Sequence, residues 1–127
     1  SVLVKKYILI AGVNGAGKSI LGNIEKAKER KYSIELHYVG VDSAEIAKKR
    51  VALRVCQGGH GIEEKLIEKR YQESLLNLKR VLPLCDLAVL YDNTEKFRRF
   101  AIYRKGAAAR ISNNVPKWYF NIENREK

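Results

Sequence analysis

The stretch "GVNGAGKS", Gly12 to Ser19, constrains this chain more than any other, because it follows directly on the apolar run "YILIA". Gly12, Gly17, Lys18 and Ser19 meet the pattern G-x-x-x-x-G-K-[ST]. Where a strand ends and a helix begins, a short loop can wrap a phosphate with its backbone N–H groups pointing inward. Gly12, Gly15 and Gly17 allow the close approach that this needs, and Val13, Asn14 and Ala16 complete the cradle. Lys18 adds a point charge toward the outer phosphates, and the Ser19 hydroxyl is a candidate Mg²⁺ ligand. The competing reading, a glycine-rich turn with an incidental Lys-Ser pair, leaves the three glycines without a purpose.

The flanks fit a phosphate loop. Val4 to Ala11 is nearly continuous in apolar residues, as in a strand buried on both faces. Ile20 to Lys31 carries Ile20, Leu21, Ile24 and Ala27 at helical spacing. "IELHYVGV" predicts a second strand over Ile34–Val41, and Asp42 or Ser43 can cap the helix that follows. After the glycine linker "QGGHG", a long helix is expected from about Glu63 to Val81, stopped by Pro83. "CDLAVLYD" reads as a third buried strand, and "RRFAIYRKG" with "AAARIS" as a hairpin turning near Lys105-Gly106. "VPKWYFNIENREK" reads as a tail that holds the single Trp and then fades into charge. The alternation argues for one α/β domain over residues 1–127 with a parallel core sheet.

The 127 residues suffice for one core and not two. No apolar run approaches the roughly 18 residues that span a bilayer, so no membrane is expected as a partner. "SVLVKKYILI" reads as a strand rather than a signal peptide, because a lysine pair interrupts it. Cys56 and Cys85 are lone thiols, which suits a reducing cytoplasm, and no cluster has metal-ligand spacing. The net charge of +11 attracts anions such as nucleotides, phosphosugars or nucleic acid. That charge is spread over many short runs, and few aromatics stand outside the predicted core. Nucleic acid is therefore not the expected partner; a basic ATPase or nucleotide-binding module acting on nucleic acid is the alternative function.

A phosphate loop binds triphosphate without naming the reaction. No Asn-Lys-x-Asp motif reads guanine, so ATP with Mg²⁺ is the expected cofactor. Two aspartates end strands and are candidates beside the metal: Asp42 and Asp92, the former equally suited to capping a helix. Arg50 and Arg54 share one side of a helix, and Arg70 sits beside Ile67 and Tyr71 on the next. Residues 43–81 could close as a lid whose arginines meet the phosphoryl group in transit. Against this, each arginine is individually an ordinary surface residue of an amphipathic helix. His60, between glycines, is assigned no chemistry.

"YILIAGVNGAGKS", "LHYVGVDSAEIAKKRVALRV", "GGHGIEEKLIEKRYQESLLNLKRVLPLCD" and "YDNT" together resemble the zeta toxin family of bacterial P-loop kinases. The resemblance runs from Tyr7 to about Thr94. It implies a three-layer P-loop NTPase fold with a mainly parallel sheet and a helical lid. It also implies ATP-dependent phosphorylation of UDP-N-acetylglucosamine or a similar nucleotide sugar, and leaves open an antitoxin protein as partner. By position, Lys18, Arg54 and Arg70 would be catalytic, Ser19 would ligate the metal, and Asn93 would approach the adenine. One departure is large. The family places a long stretch, including a Pro-Asp segment with the general base, between the phosphate loop and the strand matching "IELHYVGV". This chain has none of it, and "GKSILGNIEKAKERKY" resembles a later helix of the family better than the helix after the loop. Gly17–Ser19 thus reads as a join of two distant segments. Two explanations stay open: residues of the full protein stand between Gly17 and Ile20, or the chain carries a true deletion there.

Overall fold

The computed structural model describes residues 5–12, 19–59, 61 and 63–123. Residues 13–18, and with them Val13, Asn14, Gly15, Ala16, Gly17 and Lys18, lie outside the described set, as does His60.

Alternating burial dictates the sheet. In β2, Ser33–Gly40, every second residue is buried. β1, Lys6–Gly12, pairs parallel with β2, and β2 pairs parallel with β3, Leu87–Asp92. β4, Arg98–Arg104, and β5, Ala107–Ile111, continue the sheet as antiparallel strands. Lys105 and Gly106 join them at φ 52° and 83°, the left-handed pair that a tight hairpin turn requires. The spatial order is β1-β2-β3-β4-β5, the same as the chain order.

Helix α1, Ser19–Glu29, connects β1 to β2. Between β2 and β3 come α2, Ala44–Cys56, and α3, Glu64–Val81. Ser43, not Asp42, is the cap of α2: its hydroxyl accepts from the Ile46 N–H at 3.3 Å. Ile67, Tyr71, Leu75 and Leu78 form a buried stripe along α3, continued by Leu82 just past its end. On α2 Ala47 and Val51 are buried, and Val55 is exposed. The segment read as a tail forms α4, Lys117–Glu123. It brings Trp118, which is completely buried, onto Tyr38 and Phe100 at ring separations of 5.6 and 5.3 Å.

The expected three-layer, mainly parallel P-loop NTPase fold does not hold. Only the β1-β2-β3 half of the sheet is parallel. Both crossovers advance in one direction across the sheet, and crossovers of one hand then stack their helices on one face. The core accordingly lies between that face and the helices. On the other face Ile8 and Ile10 remain 56% and 81% exposed. β1, the strand before the glycine loop, is an edge strand, because the residues after that loop form only α1 before the chain enters β2. The segment read as a lid is also different in kind. α3 is a core helix: Tyr71 donates to the Val41 carbonyl at 2.7 Å and Ser74 to the Gly12 carbonyl at 3.1 Å. A helix fixed in this way to the ends of β1 and β2 cannot swing as a lid.

Candidate site at the carboxyl ends of the parallel strands

Three parallel strands end on one edge of the sheet, at Gly12, Gly40 and Asp92. In open α/β sheets this is the edge that takes ligands. Here the strand order never reverses, so the edge lacks a switch-point crevice and is shaped by side chains instead.

Two carboxylates anchor it, and both are tied to Trp118. Asp92 is buried, and its Oδ1 accepts from the Thr94 hydroxyl at 2.7 Å, the Thr94 N–H at 3.3 Å and the Trp118 indole N–H at 3.0 Å. Its Oδ2 faces the Arg98 guanidinium at 3.9 Å. Asp42 Oδ1 accepts from the Trp118 backbone N–H at 3.2 Å, and the Asp42 N–H donates to the Thr94 hydroxyl at 3.1 Å. The Tyr71 phenol lies under both: burial first, then the Asp42 and Asp92 charges, push its pKa up to about 12. Asp92 is therefore committed to holding the loop after β3, while among the described residues none hydrogen-bonds Asp42 Oδ2.

Beside these groups opens a cleft of about 380 Å³. Asp42, Asp92, Thr94, Arg98, Asn114 and Lys117 are among its lining residues. The volume suits a nucleoside-sized group, and the lining offers both cations and acceptors.

The expected site residues divide between this edge and elsewhere. Gly12 ends β1 there, and α1 begins at Ser19. The Asn93 N–H donates to the Gly40 carbonyl at 2.9 Å, which seats Asn93 against the end of β2. Arg50 reaches the edge: its guanidinium donates to the Thr94 carbonyl at 2.8 Å. Arg70 is half-buried next to Tyr71. Arg54 lies one turn beyond Arg50, with an exposed side chain and a carbonyl that caps the helix end by accepting from the Gly59 N–H at 2.7 Å. Sequence reading missed Trp118, Thr94 and the cleft. The signal was present: Pro116 just ahead of Trp118, Tyr119 and Ile122 marks a short amphipathic helix.

Among the described residues, no three His, Cys, Asp or Glu side chains converge to hold a metal ion. Among the described residues no helix is long and apolar enough to cross a membrane.

Comparison with known proteins adds one relative. An uncharacterized protein of Haemophilus influenzae (strain ATCC 51907 / DSM 11121 / KW20 / Rd) is 38% identical over 56 residues, which is 44% of this chain. The match spans 40% of that relative's length. No family model matches, and no solved structure matches significantly.

Proposed function

We propose that this chain is a cytoplasmic phosphotransferase of the zeta toxin type, binding ATP·Mg²⁺ at the carboxyl edge of its parallel strands. The γ-phosphoryl group passes to a hydroxyl of an anionic, nucleotide-sugar-like acceptor. The bond from phosphorus to the bridging oxygen of ADP breaks, a bond to the acceptor oxygen forms, and the hydroxyl proton leaves to solvent. One observation carries the reading. The G-x-x-x-x-G-K-S motif is bracketed by a strand ending at Gly12, a helix starting at Ser19 and a parallel second strand, the setting in which this motif cradles phosphates. In this reading Lys18 meets the outer phosphates, Ser19 and Asp42 lie beside the metal, and the 380 Å³ cleft near Asn93 receives the nucleoside. Arg50 reaches the edge through the Thr94 carbonyl, and Arg70 stands in the chain next to Tyr71, which bonds the Val41 carbonyl; of Arg54 and Arg70, Arg70 is the stronger candidate for charge stabilisation during transfer.

Calorimetric titration with ATP·Mg²⁺ tests binding, and ADP release in the presence of UDP-N-acetylglucosamine tests transfer. Lys18→Ala should weaken ATP by about tenfold or more, the effect of losing a charge-assisted phosphate contact. Arg70→Ala should lower turnover with ATP affinity unchanged. Absence of ATP binding by the wild-type protein refutes the proposal. Binding without ADP release reduces it to a nucleotide-binding module.

A further inference from the structure

The face of the sheet opposite the helices is a built surface. Residues paired across a ladder share a face, so the register places Lys6, Ile8 and Ile10 of β1 on it with Glu35, His37 and Val39 of β2. Leu87, Val89 and Tyr91 of β3 lie beside them, opposite Arg104, Ile102 and Arg99 of β4. Arg110 of β5 pairs with Ile102.

Three rings lie in a row across this face. His37 stacks on Tyr91 at 5.9 Å and 26°, and Tyr91 stacks on Phe97 at 5.1 Å and 17°. Phe97 ends the row and is 61% exposed. The row is held in place. The Tyr91 hydroxyl meets His37 Nδ1 at 2.9 Å, and His37 Nε2 meets Glu35 Oε2 at 2.8 Å. Glu35 is in turn fixed by Lys6 at 3.7 Å. The imidazole is thus held at both ring nitrogens. The result is a rigid aromatic platform with one open ring face.

On the same face stand Arg99, paired with Tyr91, and farther along β4 and β5 Arg104 and Arg110, all exposed. Among the described residues, none of the three takes part in a salt bridge. Guanidinium groups without carboxylates, beside a stack of rings on a sheet, are the two parts of a single-strand nucleic-acid platform: cations for phosphates and a π-face for bases. An apolar face of this size could also cover itself with a second copy. The charge decides between the two: two chains of +11 repel each other, while a polyanion is attracted.

We propose that this open face binds single-stranded nucleic acid, a base stacking on Phe97 while Arg99, Arg104 and Arg110 hold the backbone. The face adjoins the carboxyl edge at Phe97, which stands in the chain between the cleft residues Lys96 and Arg98, but the proposal does not depend on the ATP reading. Strand register brings Lys6, Arg99, Arg104 and Arg110, which lie apart in the sequence, onto this one face.

The test is fluorescence anisotropy with a labelled poly-U or poly-dT oligonucleotide of about 20 nucleotides, long enough to cross a platform of this kind. Phe97→Ala should weaken binding about tenfold, the usual effect of losing one stacked base. Arg99→Gln with Arg104→Gln should flatten the slope of log affinity against log salt by about 1.4, two phosphate contacts at about 0.7 each. Lys49→Gln with Arg80→Gln removes equal charge from the helical side and should leave both readouts nearly unchanged. Equal losses from the two double variants overturn the proposal in favour of unspecific attraction. So does the absence of binding at low salt. So does sedimentation showing a wild-type dimer that Phe97→Ala or Ile10→Lys dissociates, which would make the face a contact between copies.

Discussion

Replacing Gly40 by alanine tests the packing on which the carboxyl edge rests. A Cβ at this position would lie 2.5, 2.6 and 2.9 Å from the Cε2, Cζ2 and Cη2 atoms of Trp118. Contacts under 3.0 Å force something to move. The indole cannot move freely. It is completely buried between Tyr38 and Phe100, its ring N–H is held by Asp92, and its backbone N–H by Asp42. Overpacking against a fixed ring costs about 1–3 kcal/mol and should sit near the top of that range here. Alanine also restricts the unfolded chain, which returns about 0.4–1 kcal/mol. The net expectation is a loss of about 2 kcal/mol, read as a lower urea midpoint by far-ultraviolet circular dichroism. In a Trp118→Leu background the clash is gone, and the same Gly40→Ala change should become neutral or slightly stabilising. The coupling energy of that double-mutant cycle is therefore the quantity to measure. A Gly40→Ala penalty that is the same in both backgrounds would refute the argument, because the loss would then come from the strand and not from the indole.

Other expectations are simpler. Of the two thiols, Cys56 is exposed and Cys85 is buried with its Sγ on the Val81 carbonyl at 3.3 Å. Burial, then the charge of Asp86, raises the Cys85 thiol to about 11, so a thiol reagent should label Cys56 promptly in native protein and reach Cys85 only on unfolding. The Ile34 N–H, bonded to Asp86 Oδ2 at 2.7 Å, holds the Asp86 carboxyl below its ordinary value, with the nearby Lys105 adding to the effect. A depressed folded-state pKa gives stability that is present above the unfolded value and lost as pH falls through the folded one. Asp86→Asn should therefore lower stability at neutral pH by about 1 kcal/mol and flatten the acid limb below about pH 4, followed by thermal melts across pH.

Much of this architecture was legible because local chemistry and tertiary position agree. The Ser43 cap, the α3 stripe from Ile67 to Leu82 and the Lys105-Gly106 hairpin are set by neighbours along the chain. What failed depends on connection order. The run Val4–Ala11 has apolar side chains on both faces and so resembles a doubly covered strand, yet whether a second layer exists depends on where the crossovers go. Ile8 and Ile10 look the same in sequence whether covered or bare. α4 is short, and its apolar residues gain a purpose against residues distant in the chain, Tyr38, Phe100 and Gly40 among them. The site was half legible for the same reason. The motif names its own residues, Gly12 to Ser19, whereas Arg50, Thr94 and Trp118 become neighbours of the carboxylates only through the sheet.

A sheet whose spatial order repeats its chain order has a consequence for synthesis. Each strand as it leaves the ribosome finds its partner already present, because that partner is the strand made just before it. No hydrogen-bonding edge in the middle of the sheet has to wait for a distant segment. The exception is α4, which folds back past two strands to place its indole on Gly40. Until that helix arrives, the nascent protein has a sheet with a gap above the Asp42–Asp92 pair, and that interval is when a holding chaperone would find most to grip.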